Sequence, residues 1–292
     1  LKIKKAVIPA AGHGTRFLPA TKAQPKEMLP IIDTPTIQYV VEEAVESGIE
    51  DIIIITGRGK RAIENHFDRN FALEALLENR KSSHALMEIR RTADFANIHF
   101  IRQKEMKGLG DAIYCARHHV GDEPFAVLLG DTIVDSIEPA AQQLMEVFSV
   151  GTKAVVGVEE VSREKVSRYG IVNGQLVGRN LRELEVLVEK PTAKEAPSNL
   201  AIAGRYVLTP GIFAAIEKTP PRKNDEIQLT DALMVLKETE EVYSFTIEGK
   251  RYDIGNKLDY LKTQVEYGLK RKEFSEPFLR FLEEMIAKHD TP

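Results

Sequence analysis

Several groups of residues in this chain have the types and spacing of phosphate chemistry. A short apolar strand, Lys5 to Pro9, runs into Ala10-Ala11-Gly12-His13-Gly14-Thr15-Arg16. Small residues at that density let backbone N–H groups approach a phosphate with no side chain in the way. The same loop also reads as a tight strand-to-loop turn. Arg16, Lys22 and Lys26 then lie close together in a stretch with Pro19, Pro25 and Pro30. Those prolines oppose a continuing helix and predict an extended, ordered loop. A rigid loop with several cations beside exposed amides is what a triphosphate needs, although a solvated basic loop has the same composition.

Carboxylates follow. Asp131 comes after the apolar run Phe125 to Leu129. A carboxylate at the C-terminal end of a buried parallel strand faces the crevice in which such sheets bind ligands. There it can hold Mg²⁺ together with substrate phosphates; the alternative is an N-cap for a helix from Ser136. Asp253, in Tyr252-Asp253-Ile254-Gly255-Asn256, is a second candidate ligand, or an ordinary turn residue. Glu189-Lys190-Pro191 ends another strand, which places opposite charges on opposite faces. Gln103 and Gly108-Leu109-Gly110 flank a helix entry, where an amide and a glycine backbone can read a base edge or simply start the helix.

Other chemistries find less support. The first loop is not a Walker A loop, since Gly-Lys-Ser/Thr is missing, and Phe17 stands where a dinucleotide fingerprint has its third glycine. Gly57-Arg58-Gly59-Lys60-Arg61-Ala62 does match that fingerprint, with Glu78 about where a ribose-binding acid is expected. A βα turn with two glycines explains it as well. His66, His118 and His119 lack partners at metal-ligand spacing, and Cys115 shares an apolar face with Ala112 and reads as packing. There is no Gly-x-Ser-x-Gly elbow.

The chain that must position these groups has 292 residues, 43% apolar and 29% charged, which is globular composition. Forty Lys+Arg against 44 Asp+Glu leave a net charge of -4. That excludes a generally basic, nucleic-acid-coating surface but not a local anion site. A single cysteine excludes an intramolecular disulfide and a thiolate zinc site, and points to a reducing compartment. The longest aliphatic runs, Ile52 to Ile55 and Ala126 to Leu129, are far below the ~18 residues of a membrane span, and the N-terminus has no signal-peptide h-region. The expectation is a cytoplasmic protein with no membrane or nucleic-acid partner.

Over the first 130 residues strands and helices alternate. Thr34-Pro35 predicts an N-cap and an N1 proline for a helix with Ile37, Val40, Val41, Ala44 and Val45 on its apolar face, and Gly48 predicts its end. Asp51 to Thr56 reads as a strand buried on both faces, followed by a helical region from about Lys60 to Ala93. Asn97 to Arg102 and Phe125 to Leu129 are further strands, with a helix from Gly110 to Val120 between them. This alternation predicts an α/β fold with a parallel, doubly wound sheet. After residue 150 strands follow more closely, at Lys153 to Glu159, Tyr169 to Asn173, Glu183 to Glu189, Ala201 to Leu208 and Val242 to Glu248. One continuous unit is expected over 1–256, with halves at about 1–135 and 150–256. Two helices over 257–292 follow, whose Phe274, Phe278, Leu279, Leu282 and Ile286 can dock on the body or on another subunit.

Taken together, Ala-Ala-Gly-x-Gly-Thr-Arg and Leu18-Pro-Ala-Thr-Lys-Ala-Gln-Pro-Lys-Glu-Met-Leu-Pro30 resemble the start of the bacterial-type UTP–glucose-1-phosphate uridylyltransferases, within the sugar nucleotidyltransferases. The resemblance continues through Lys107-Gly108-Leu109-Gly110, Val188-Glu189-Lys190-Pro191, Ala196-Pro197-Ser198-Asn199, Gly204-Arg205-Tyr206, Asp225-Glu226-Ile227-Gln228 and Asp253-Ile-Gly-Asn-Lys257. It implies a Rossmann-like three-layer α/β/α sandwich with a mixed, mainly parallel central sheet. The implied reaction is UTP + glucose 1-phosphate to UDP-glucose + pyrophosphate, dependent on Mg²⁺, in a homo-oligomer, dimer or tetramer. By resemblance, Ala11 and Gly12 contact the uridine through backbone, with Gly14 in the same loop, Gln103 and Gly108 read the uracil edge, and Glu27 sits near the ribose. Arg16 and Lys26 neutralise the triphosphate, and Asp131, with Asp253, holds the metal. Gly170 and Glu189 bind glucose hydroxyls, Lys190 clamps the sugar phosphate, and Asn199 belongs to a matching motif at the substrates. The family often has proline before the first aspartate, where this chain has Gly130. The rival readings are a thymidylyl- or other nucleotidyltransferase, which shares the first loop, an NAD-type oxidoreductase built on Gly57 to Ala62, and a sugar-nucleotide sensor without catalysis.

Overall fold

The computed structural model describes residues 2–149, 153–222 and 225–289; the expected boundary at residue 150 and the end of the expected C-terminal segment, 290–292, lie outside them. Thirteen strands are present among the described residues. They are β1 (Lys5–Pro9), β2 (Pro30–Ile31), β3 (Thr34–Pro35), β4 (Asp51–Thr56), β5 (Asn97–Arg102), β6 (Phe125–Leu128) and β7 (Thr132–Asp135). The rest are β8 (Ala154–Glu160), β9 (Gly170–Gly178), β10 (Leu181–Glu189), β11 (Leu200–Leu208), β12 (Val242–Thr246) and β13 (Lys250–Asp253). Nine of them form one sheet in the order β5-β4-β1-β6-β11-β8-β12-β10-β9.

The α/β class and the mixed sheet are as expected, but the sheet is not mainly parallel. The β5-β4-β1-β6 half is parallel throughout. In the other half only β12 and β8 run parallel, while β11 is antiparallel to β6, β8 and β9, and β10 to β9 and β12. The pairing of β9 with both β10 and β11 also closes five strands into a ring. The physical reason lies in the connections. Helices link the strands of the first half, as parallel pairing requires, whereas β9 and β10 are joined by a tight turn at Arg179-Asn180, which only antiparallel neighbours allow.

Alternation along the central strands feeds two cores. Val7, Ile53, Ile55 and Val127 pack with Ala112, Ile113 and Phe213, whereas Ala6, Ile8, Ile52, Ile54 and Leu128 pack with Ile37, Val41 and Leu144. Both faces of the sheet are thus covered, and the Ile run of β4 is apolar throughout for that reason.

Local expectations shift in three places. The helix expected from Pro35 begins one residue later, over Thr36–Glu46, because Thr34–Pro35 pairs back on Pro30–Ile31. Its end is as expected: Gly48, at φ 82°, closes it in the left-handed region. The loop from Thr15 to Met28 is not extended; it coils into three single 3₁₀ turns, at Thr15–Phe17, Ala20–Lys22 and Lys26–Met28. Each proline there precedes or interrupts a turn, which blocks an α-helix but not a 3₁₀ turn. Finally, no helix starts near Asp131: β7 follows it directly, so the N-cap alternative is excluded. No helix among the described residues is long and apolar enough to cross a membrane.

Candidate active site

The ends of β1, β4 and β6 open on one cleft. The loop after β1 starts with Ala10 N–H donating to the Ile55 carbonyl at 2.8 Å, which ties it to β4. Behind it stands Gly57, where a Cβ would lie 2.9 Å from the Ala11 carbonyl oxygen. The glycine of the fingerprint-like motif is thus required by the close packing of two loops. Lys60 of the same motif is buried and donates to the Glu27 carboxylate at 2.8 Å, with 7% and 1% of the two side chains exposed. Glu78, in contrast, pairs with Arg90 on the surface and takes no part in the cleft.

Lys26 sits on the last 3₁₀ turn, and its ammonium donates to the Asp131 carboxylate; each side chain is about a quarter exposed, 24% and 25%. Burial pulls the Lys26 ammonium down, but the charges of Asp131 and Glu27 outweigh it and hold its pKa above the ordinary lysine value. Burial pushes the Asp131 carboxyl up, yet the charge and hydrogen bond of Lys26 bring it below the usual carboxylate range. At Glu27 burial wins, and its carboxyl is raised despite Lys26 and Lys60. With Lys60 these groups form a chain of alternating charge, Lys60-Glu27-Lys26-Asp131, along the cleft floor.

β7 and β13 pair antiparallel, with Thr132 opposite Asp253, which brings the second aspartate beside the first. A point where a Gly255 Cβ would stand lies 3.1 Å from Asp253 Oδ1 and 3.3 Å from Asp131 Oδ2, and 3.6 Å from Arg16 Nη1. Arg16 also donates to the Gly255 carbonyl at 3.4 Å. Tyr169 donates its hydroxyl proton to Asp253 Oδ2 at 2.9 Å, and the Arg251 guanidinium lies 4.2 Å over the Tyr169 ring. Two carboxylates with hard oxygen donors, open to a cleft lined by cations, fit a hard divalent cation that takes its remaining ligands from phosphates and water. No group of three or more His, Cys, Asp or Glu among the described residues makes an all-protein metal cage.

Two cavities meet at Asp131. The larger, about 490 Å³, is lined by Ala11, Gly12, Gly14, Lys26, Glu27, Gln103 and Gly108. The smaller, about 260 Å³, is lined by Arg16, Gly170, Glu189, Lys190 and Asp253. Asp131, Leu109 and Leu129 belong to both. Gly170 keeps the smaller one open: a Cβ there would lie 2.8 Å from Ile202 Cδ1 and 3.3 Å from Glu189 Oε2. Glu189 and Lys190 do not point to opposite faces. Lys190 leaves the strand with φ 49°, which swings its side chain round to pair with Glu189 at 2.9 Å.

Sequence reasoning therefore brought most of the set together, but not all of it. Asn199 lines neither cavity; its carbonyl accepts from Val161 N–H at the edge of β11. Lys22 is exposed and lines neither. Tyr169, Arg251, Gln228 and Thr230 line the smaller cavity and were missed. Arg251 was within reach, two residues before Asp253 and so on the same face of a strand. Thr230, whose buried hydroxyl has no partner among the described residues, carries no sequence signal.

The chain as a whole is similar to known proteins. Residues 5–268 match the family model described as Nucleotidyl transferase. The chain is 55% identical to a UTP–glucose-1-phosphate uridylyltransferase of Bacillus subtilis, YngB, over 98% of this chain and 97% of that one. It is 53% identical to a UTP–glucose-1-phosphate uridylyltransferase of Staphylococcus epidermidis over 97% and 99%. Among solved structures, a UDP-glucose pyrophosphorylase complexed with UDP-glucose is similar with a TM-score of 0.85 at 43% identity, over 92% of this chain and 100% of that one. A UTP-bound UGPase from Acinetobacter baumannii is similar with a TM-score of 0.90 at 42% identity, over 97% and 99%.

Proposed function

The chain belongs to the nucleotidyl transferase family, among its UTP–glucose-1-phosphate uridylyltransferases, and we propose that the cleft around Asp131 is where it joins the two substrates. The activity is UTP + glucose 1-phosphate to UDP-glucose + pyrophosphate. One observation carries the residue-level reading: a larger and a smaller cavity share a single carboxylate, Asp131, with cations on both sides. The nucleoside triphosphate takes the larger cavity and the sugar phosphate the smaller, so the α-phosphorus and the attacking oxygen meet at the shared wall.

The nucleophile is a phosphate oxygen of glucose 1-phosphate, already ionised at neutral pH, so no general base is needed. It forms a new P–O bond at the α-phosphorus of UTP while the bond from that phosphorus to the bridging oxygen breaks, and pyrophosphate leaves with the bonding pair. Catalysis then reduces to in-line positioning and neutralisation of charge. Lys26 faces the triphosphate from the larger cavity and Arg16 reaches its phosphates from the smaller one, beside Asp131 at the shared wall. Lys190 holds the sugar phosphate, and Glu189 with the space beside Gly170 receives glucose hydroxyls. Backbone of Ala11, Gly12 and Gly14 lies along the nucleoside, Gln103 and Gly108 meet the base, and Glu27 lies near the ribose. Asp131 and Asp253 would hold Mg²⁺, which when bound supplies charge neutralisation at the phosphates.

Helices on both faces of the sheet support a three-layer α/β/α arrangement, with a nucleotide half at about 1–135 and a sugar half at about 150–256. In the C-terminal segment from 257, the helix Ser275–His289 buries no residue and exposes Leu279, Phe281, Met285 and Ile286, which supports a homo-oligomer contact. The single cysteine and the aliphatic runs too short to span a membrane support a cytoplasmic protein.

The test is pyrophosphate release with Mg²⁺ and glucose 1-phosphate, comparing UTP with dTTP, CTP, ATP and GTP. Strong preference for UTP is expected. Preference for dTTP would move the protein to the sister activity, and silence with every nucleotide would overturn the reading.

A further inference from the structure

Gln103 is 5% exposed, immediately beyond β5, on the wall of the larger cavity. Its amide nitrogen has two hydrogens, and both are committed. Nε2 donates to Asp111 Oδ2 at 2.6 Å and to the Gly108 carbonyl at 3.3 Å. A primary amide can usually be turned over with little change of shape, because its oxygen and nitrogen are nearly the same size. Here the neighbour decides. A carboxylate accepts and does not donate, so only the nitrogen of Gln103 can face Asp111. Its carbonyl oxygen is then the group left for the cavity, and it can only accept.

Fixing one orientation has a chemical consequence for the base. Uracil presents N3–H, a donor, in the middle of its pairing edge, whereas cytosine presents N3 as an acceptor. An amide held with its oxygen toward the ligand satisfies the first and sets acceptor against acceptor with the second. A free glutamine would serve both, since turning it over converts acceptor to donor. Asp111 lines neither cavity, and its carboxylate meets the cavity wall through the Gln103 amide.

We propose that Asp111 is a specificity-determining positioning residue: it locks the Gln103 amide with its oxygen toward the nucleotide, and thereby sets discrimination between UTP and CTP. This rests on the reading that the base lies against Gln103.

The experiment measures kcat/KM for UTP, dTTP and CTP in the full-length enzyme, with thermal midpoints recorded alongside, for Asp111→Asn, Asp111→Glu and Gln103→Leu. An asparagine offers oxygen or nitrogen, so only the longer hydrogen bond to the Gly108 carbonyl still favours the same orientation. Asp111→Asn should lower the UTP/CTP ratio about 10-fold or more, since a site built to hydrogen-bond one edge otherwise rejects the analogue strongly. The ratio for dTTP, which shares the imide edge, should follow UTP. Asp111→Glu, which keeps an acceptor-only group, should retain the discrimination. An equal fall for UTP and CTP in Asp111→Asn, or an unchanged ratio in a folded variant, would overturn the proposal. So would loss of discrimination in Asp111→Glu if Nε2 still donates to the glutamate in its structure. Gln103→Leu separates the two levels. If it collapses the ratio while Asp111→Asn does not, the base position stands and the role of Asp111 falls. If neither changes the ratio, the base does not lie against Gln103 and both fall.

Discussion

The two sides of the cleft are built differently. On the side of the larger cavity, cations and carboxylates are already matched and largely withdrawn from water: Lys60 with Glu27 at 7% and 1% exposure, and Lys26 with Asp131 at about a quarter. On the side of the smaller cavity, Lys190 is half exposed, pairs with its own neighbour Glu189, and stands at the end of a strand with left-handed backbone. The first side is scaffolded by parallel strands whose ends converge; the second by antiparallel strands that close on themselves. A buried ion pair is held by whatever surrounds it, and removing one partner strands the other, whereas an exposed pair is screened and replaceable.

The comparison is broken most directly at Lys60. Lys60→Met leaves Glu27 buried without its partner and should cost about 3–5 kcal/mol of stability. Denaturant unfolding checks this, and Lys60→Met with Glu27→Gln should recover much of the loss. A small effect of the single change would mean that this side is not pre-built by its ion pairs.

Next is the shared wall. Asp131→Asn should lower kcat by roughly 10²–10³, a magnitude typical of removing one group that stabilises transition-state charge, with a smaller loss of stability than Lys60→Met because a quarter of the Lys26 side chain stays in water. Near-normal turnover would remove Asp131 from the metal-binding role. On the exposed side, Lys190→Ala should raise KM for glucose 1-phosphate about 10- to 100-fold while leaving KM for UTP little changed, the size of one lost charge-assisted hydrogen bond. An equal rise for both substrates would erase the division between the two cavities. The smallest effect is expected at Lys22, which lies in the basic loop but lines neither cavity. Lys22→Ala should change kcat/KM by less than about twofold, because an exposed charge acts through screened solvent. A large loss would show that the whole basic loop, not Lys26 alone, meets the triphosphate.

Much of this was written locally. The strands β1 and β4 lie where the apolar runs predicted them, because a strand buried on both faces needs a continuous apolar run and β4 supplies Ile52 to Ile55. The glycine-rich loop, Lys26, Asp131, Gln103 and Glu189 were legible because phosphate and carboxylate chemistry restricts residue types over short spans. The fingerprint-like Gly57 to Ala62 is the βα turn its two glycines also suggested, and its residues serve packing. Its first glycine is required by the Ala11 backbone and its lysine by Glu27, neither of which is near in sequence.

The class of fold, the elements of the parallel half and the kinds of group available for the chemistry follow from the order of residues alone. Local pattern decides these, since burial periodicity and turn residues act over a few positions. It takes the folded chain to close β9 onto β11, to bring Asp253 beside Asp131, to turn Lys190 back onto Glu189, and to set which way the Gln103 amide faces. Each of those depends on a backbone conformation or on a partner supplied by another segment, and neither is encoded in the spacing of the residues themselves.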